Sequence, residues 1–136
     1  MSIERGESDM TYDKSREMAS LAYHALEEKK AENITMIDIE QVSTLADYFI
    51  IASGNNRNQV QAMADEVDEV LGRAGYEVKH KEGYQTANWI LLDYGDLVIH
   101  IFDTQNRLFY DLDRIWRDGK AVSIEELEEG KKDNVD

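Results

Sequence analysis

The 136-residue chain has no cysteine and no proline, and it is short of basic residues: 15 Lys and Arg stand against 29 Asp and Glu, a formal charge of −14. Lack of cysteine removes disulfides, thiolate metal sites and cysteine nucleophiles together, and it suits a reducing cytosol, so a cytoplasmic location is expected. Lack of proline leaves the turns to eight Gly and to Asn and Asp. Nucleic-acid affinity comes mainly from Lys and Arg displacing counterions, so direct nucleic-acid binding is not expected, nor is adsorption to anionic lipid. Long apolar runs are missing too. Tyr48 to Ala52 and Leu97 to Phe102 are strand-sized, against the roughly 20 residues a membrane helix needs. The opening MSIERGESDM is polar and lacks the apolar core of a signal peptide. A soluble protein with no membrane partner is the expectation.

What is present suffices for one packed domain. Hydrophobic residues make up 42% of the chain, including two Trp, seven Tyr and three Phe. Residues 1–13 lack periodicity and are expected to be a flexible lead-in. From Ser15 to Ala31 the positions Met18, Leu21, Ala22, Ala25 and Leu26 form a helical stripe. Ile34–Ile39 and Asp47–Ser53 read as strands, the second apolar enough to be buried on both faces. Asn56, with Gln59 three residues on, predicts a capped helix whose stripe is Val60, Met63, Ala64, Val67, Val70, Leu71 and Ala74, ending at Gly75.

Three more strands are predicted at Tyr76–Lys81, Asn88–Tyr94 and Leu97–Phe102, the last two joined by a Gly95-Asp96 turn. A helix is expected from Leu108 to Asp118, with Phe109, Leu112, Ile115 and Trp116 on one side. From Glu125 to Asp136, six acids outnumber two lysines. Ser123-Ile-Glu-Glu126 could cap a short helix, but solvated disorder is the expectation for this tail. The fold class is therefore α/β, in the order α-β-β-α-β-β-β-α, with a mixed sheet of about five strands and helices packed on it.

Searches for reaction chemistry return little. GxxxxGK[ST], GxGxxG and GxSxG are all missing. Ser53-Gly54, between a buried strand and a helix N-terminus, is a place where an anion could sit, although a plain structural turn is the simpler reading. His24, His80 and His100 show no metal-ligand spacing, and no metal or cofactor is expected; His24 and His100 read as structural imidazoles. Asp93 and Asp96 flank Tyr94-Gly95, a spacing open to Mg²⁺ chemistry, although ordinary turn-forming aspartates are the simpler reading. More suggestive is Asn88–Tyr94. Trp89, Leu91 and Asp93 share one strand face and Ile90, Leu92 and Tyr94 the other. One face must cover a helix; the other is either covered by helices as well or, with equal weight, an aromatic patch with an acidic rim, suited to a basic protein partner.

Several blocks together carry a resemblance: ADYFIIASGNNRNQVQAMAD (Ala46–Asp65), Lys81-Glu82-Gly83, NWILLDYGDLVIHIFD (Asn88–Asp103) and RLFYDLDRIWRD (Arg107–Asp118). Over residues 14–119 the chain resembles the ribosomal silencing factor RsfS, or Iojap, family, with residues 120–136 as an acidic tail outside the match. The resemblance implies a non-enzymatic factor, with no catalytic residues, that binds the large ribosomal subunit through its protein numbered fourteen and blocks joining of the small subunit under nutrient limitation. It also implies a nucleotidyltransferase-like fold, although no Gly-Ser turn of those enzymes, with its Asp-x-Asp pair, is written here. The expected contact surface is Trp89, Leu91, Asp93, Tyr94 and Asp96, with Arg107, Phe109 and Tyr110 from the later block; Phe109 is equally suited to the core. The alternatives are a nucleotide-handling enzyme using Ser53-Gly54 and Asp93/Asp96, and a homodimer formed through the same patch.

Overall fold

The structure, a computed structural model, describes residues 2–41, 43–104 and 119–135, with side chains described for 14–41, 43–104 and 119–129. Helix α1 (Ser2–Glu28) leads into strands β1 (Glu32–Asp38) and β2 (Tyr48–Gly54), then helix α2 (Arg57–Arg73) and strands β3 (His80–Glu82), β4 (Trp89–Asp93) and β5 (Leu97–Asp103). Strand β6 (Lys120–Val122) and helix α3 (Ile124–Val135) complete the described chain. The sheet has six strands in the order β3-β4-β5-β2-β1-β6. Among the described residues only β2 and β5 pair in parallel, with Ile50 opposite Ile99; the other four pairings are antiparallel.

Alternation along the strands divides the core in two. Tyr48, Ile50 and Ala52 of β2, Ile90 and Leu92 of β4, and Leu97, Ile99 and Ile101 of β5 form one cluster with the stripes of α1 and α2. On the opposite face Ile37, Ile39, Ala46, Phe49, Ile51 and Phe102 cluster, with Trp89 and Val98 packed against them. Strand β2 is buried along its whole length, as a central strand feeding both clusters must be.

Helix α2 begins as its sequence dictates. The Asn56 side chain accepts from the Gln59 backbone N–H at 2.8 Å, satisfying one of the helix's unpaired first-turn donors. Val60, Met63, Ala64, Val67 and Leu71 of its stripe are buried, while Val70 is half-buried and Ala74 exposed. The chain leaves through Gly75 at φ +95°, the left-handed turn that glycine permits.

Four expectations need correction. Residues 2–13, expected to be a loose lead-in, continue α1 as helix; without an apolar stripe of their own they gave no periodic signal. The strand expected over Tyr76–Lys81 is reduced to His80–Glu82, because Tyr76 and Val78 pack onto the first cluster from a loop and the Tyr76 hydroxyl donates to Glu17 at 2.9 Å. The tail is structured. Lys120–Val122 pairs with β1 as a sixth strand, where about five were expected, and helix α3 replaces the expected disorder. A reciprocal capping box starts α3: the Glu126 N–H donates to Ser123 Oγ at 3.0 Å and the Ser123 N–H to Glu126 Oε1 at 3.2 Å. Leu127 anchors it in the core. Charge excess thus lost to one capping box and one buried leucine. The helix expected over Leu108–Asp118 lies outside the described residues.

Candidate partner-binding surface

The β4–β5 hairpin positions the expected surface. Tyr94 N–H donates to the Leu97 carbonyl at 2.8 Å, closing a two-residue Gly95-Asp96 turn, and Trp89 to Asp93 pair with Phe102 to Val98. Trp89, Leu91 and Asp93 are half-buried, alternating with buried Ile90 and Leu92. The alternation thus sorts the strand into a buried face and a half-buried one. Val98, half-buried on the same face of β5, lies opposite Asp93. Together these side chains make an apolar strip that ends in acids.

Tyr94 does not belong to that strip. It is only 4% exposed and sits in the helix-side cluster, because its place in the alternation is with Ile90 and Leu92. Its hydroxyl has no hydrogen-bond partner among the described residues, and burial, with the nearby Asp68 charge, pushes its pKa well up. Arg107, Phe109 and Tyr110 lie outside the described residues.

The acidic rim is built by three segments. Asp93 Oδ1 accepts from the Gly95 N–H at 2.8 Å, an Asx turn that holds the hairpin. The Asp96 carbonyl accepts from the N–H groups of Asp47 and Tyr48 at 2.8 and 3.2 Å, which brings the start of β2 against the hairpin turn. Asp47 is held by the Ser15 hydroxyl at 2.8 Å. Burial pushes its carboxyl up, the Ser15 bond pulls it back, and the Asp96 and Asp38 charges push it up further. Glu40 is also pushed up, by burial and then by Asp38 and Asp47, with Arg16 opposing. Asp38, Glu40 and Asp47 were missed from the sequence because only the sheet order brings the β1–β2 connection beside the hairpin turn. Leu45 in that connection, 86% exposed, was missed for the same reason.

Beneath the strip lies an aromatic cluster. His100 is buried on β5, with its ring centroid 4.8 Å from that of Phe49 and 5.8 Å from that of Trp89. The Trp89 indole stacks on Phe102 at 5.3 Å and donates its N–H to His100 Nδ1 at 2.9 Å. Burial pushes the His100 pKa down to about 4, so the imidazole is neutral at pH 7 and carries its proton on Nε2. His24 is different. It is half-exposed between Glu27 and Glu128, at 3.3 and 3.0 Å, and the Glu128 hydrogen bond leads in raising its pKa. It thereby ties α1 to α3.

The enzymatic arrangement is not assembled. Ser53 and Gly54 pair with Phe102 and Asp103 at the end of β5, whereas Asp93 pairs with Val98 near its start. Four residues of strand, about 13 Å, separate Val98 from Phe102. The first turn of α2 is partly taken up by the chain itself: Asn56 occupies the Gln59 N–H, Gln59 Oε1 accepts from the Asn55 N–H at 2.6 Å, and a side chain at Gly54 would meet Val60 and Met63. Among the described residues no three His, Asp or Glu side chains converge as metal ligands, and no helix is long and apolar enough to cross a membrane.

Comparison with known proteins decides the family. The family described as "Ribosomal silencing factor during starvation" matches residues 12–136. The chain belongs to this family. The ribosomal silencing factor RsfS of Halalkalibacterium halodurans is 40% identical over 82% of this chain and 95% of its own length, and that of Bacillus subtilis 37% identical over 81% and 93%. The crystal structure of protein CV0518 from Chromobacterium violaceum superposes with a TM-score of 0.72 at 34% identity, covering 74% of this chain and 83% of that one. The RsfS match takes in β6 and α3, the segment expected to lie beyond it.

Proposed function

We propose that this chain binds the large ribosomal subunit through a basic ribosomal protein at the intersubunit face, the large-subunit protein numbered fourteen, and there obstructs joining of the small subunit, repressing translation in the cytoplasm when nutrients are scarce. Membership of the silencing-factor family is the observation that carries the reading, and the hairpin face supports it. Trp89 and Leu91 supply apolar area at the centre of the contact. Asp93 and Asp96, with Asp38, Glu40 and Asp47 at the same end of the sheet on its α1 side, select Lys and Arg on the partner and steer its approach. The formal charge of −14 then repels ribosomal RNA on either subunit. No reaction is required, because a folded body seated on the intersubunit face excludes the other subunit by its volume alone.

Co-sedimentation tests this directly. The chain is expected to travel with purified large subunits and not with small subunits, and to be released by raised salt as screening weakens the acidic rim. Trp89→Ala should weaken binding by about 2 kcal/mol, the scale of an interface anchor. Sedimentation of the chain with neither subunit would refute the proposal; sizing that shows Trp89→Ala breaking a homodimer while large-subunit binding persists would assign the patch to self-association.

A further inference from the structure

We propose that His100 is a positioning residue for the contact surface, holding the Trp89 indole so that a partner meets it as an apolar body and not as a hydrogen-bond donor; this rests on the proposed role of the hairpin face. The register makes the arrangement possible. Trp89 lies directly opposite Phe102, and Leu91 opposite His100, so the indole reaches its acceptor diagonally, two residues along the neighbouring strand on the same face. Diagonal neighbours in an antiparallel pair are within reach of aromatic side chains. The result is an indole fixed at two points: its ring stacked on Phe102 at 5.3 Å and its N–H spent on His100 Nδ1 at 2.9 Å.

His100 is itself immobilised. It is 93% buried by its 7% exposure, with Phe49 against its ring. A neutral imidazole offers one acceptor nitrogen, and here that nitrogen is the one turned to Trp89, while Nε2 has no partner among the described residues. Fixing a large side chain before binding removes part of the ordering cost that association otherwise carries. It also sets the chemistry of the complementary site: with the N–H already satisfied, the Trp89 subsite on the partner needs aliphatic or cationic groups and no acceptor, which suits the side chains of a basic protein.

The test uses the full-length chain and purified large subunits. In ¹⁵N-labelled protein the Trp89 indole N–H resonance, assigned by its loss in Trp89→Phe, should exchange slowly with solvent. His100→Phe keeps the ring and removes the acceptor; it should accelerate that exchange and weaken large-subunit binding about fivefold. His100→Asn restores an acceptor near the Nδ1 position and should bind within twofold of wild type. Wild-type affinity in folded His100→Phe would overturn the inference. So would rapid indole exchange in the wild type, a measurement that needs no variant to fold. Failure of the wild type to bind large subunits would overturn the proposed function, and this inference with it.

Discussion

Three glycine-to-alanine substitutions separate backbone conformation from packing, and they bear on the loop that aims β4. Gly75 and Gly83 both have positive φ, +95° and +80°, so alanine at either adopts a left-handed conformation costing about 1–2 kcal/mol. Their surroundings differ. A methyl at Gly75 meets nothing within 4 Å, whereas one at Gly83 falls 2.0 Å from the Trp89 carbonyl oxygen and 3.2 Å from its carbon. That obstacle is the backbone of a paired strand, so relief requires moving β4 or the 83–87 turn, which the Ala87 N–H to Gly83 carbonyl bond closes at 2.9 Å. Overpacking of this kind adds about 1–3 kcal/mol. Gly72, near the end of α2, has φ outside the left-handed region and open space around it, so Gly72→Ala should gain about 0.5–1 kcal/mol from helix propensity. With about 3–5 °C in Tm per kcal/mol for a chain of this size, the expected order of melting temperatures is Gly72→Ala above wild type, Gly75→Ala below it, and Gly83→Ala lowest, at least about 6 °C below wild type. Urea and thermal unfolding measure it. Equal losses for Gly75→Ala and Gly83→Ala would refute the steric argument.

Acid stability should carry the signature of His100. Its pKa is about 4 folded against an ordinary 6.5, so between those values the unfolded chain binds more protons and stability falls as pH drops, by up to about 3 kcal/mol. The raised carboxyls of Asp47 and Glu40 act with the opposite sign; comparing wild type with His100→Phe across pH 4–6.5 cancels them, and the variant should show the flatter profile. Asn56→Ala, which removes the α2 cap, should cost about 1 kcal/mol in urea unfolding. Leu127→Ala should cost about 2–3 kcal/mol and raise hydrogen exchange in α3 before the central strands, since among the described side chains of that helix Leu127 is the buried one.

Much of this arrangement was legible in the sequence, where one strong local signal acted alone. The stripe and cap of α2, the doubly buried β2 and the Gly95-Asp96 hairpin each follow from period, capping chemistry or turn type. The alternation of Asn88–Tyr94 was legible too, yet the turn position of Tyr94 points to the contact surface against its own parity, because an aromatic at a turn reads as exposed until its neighbours are known. What escaped was non-local. Strand β6 has three residues and exists because β1 offers an edge, and the carboxylates of Asp38, Glu40 and Asp47 reach the rim only through the strand order. The Trp89–His100 bond needs a register that no single strand specifies. Conversely, Ser53-Gly54 and Asp93/Asp96 looked combinable as a reaction centre only while their separation along β5 was unknown.

The central claim is that the chain works by occupying a subunit face, and the rate of subunit joining tests it most directly. Purified large subunits are preincubated with the chain, small subunits are added, and association is followed by light scattering. The account predicts that joining slows in proportion to the fraction of large subunits occupied, with no nucleotide or metal required, and that Trp89→Ala at the same concentration restores much of the rate. An unchanged joining rate at concentrations where the chain co-sediments with large subunits would contradict it.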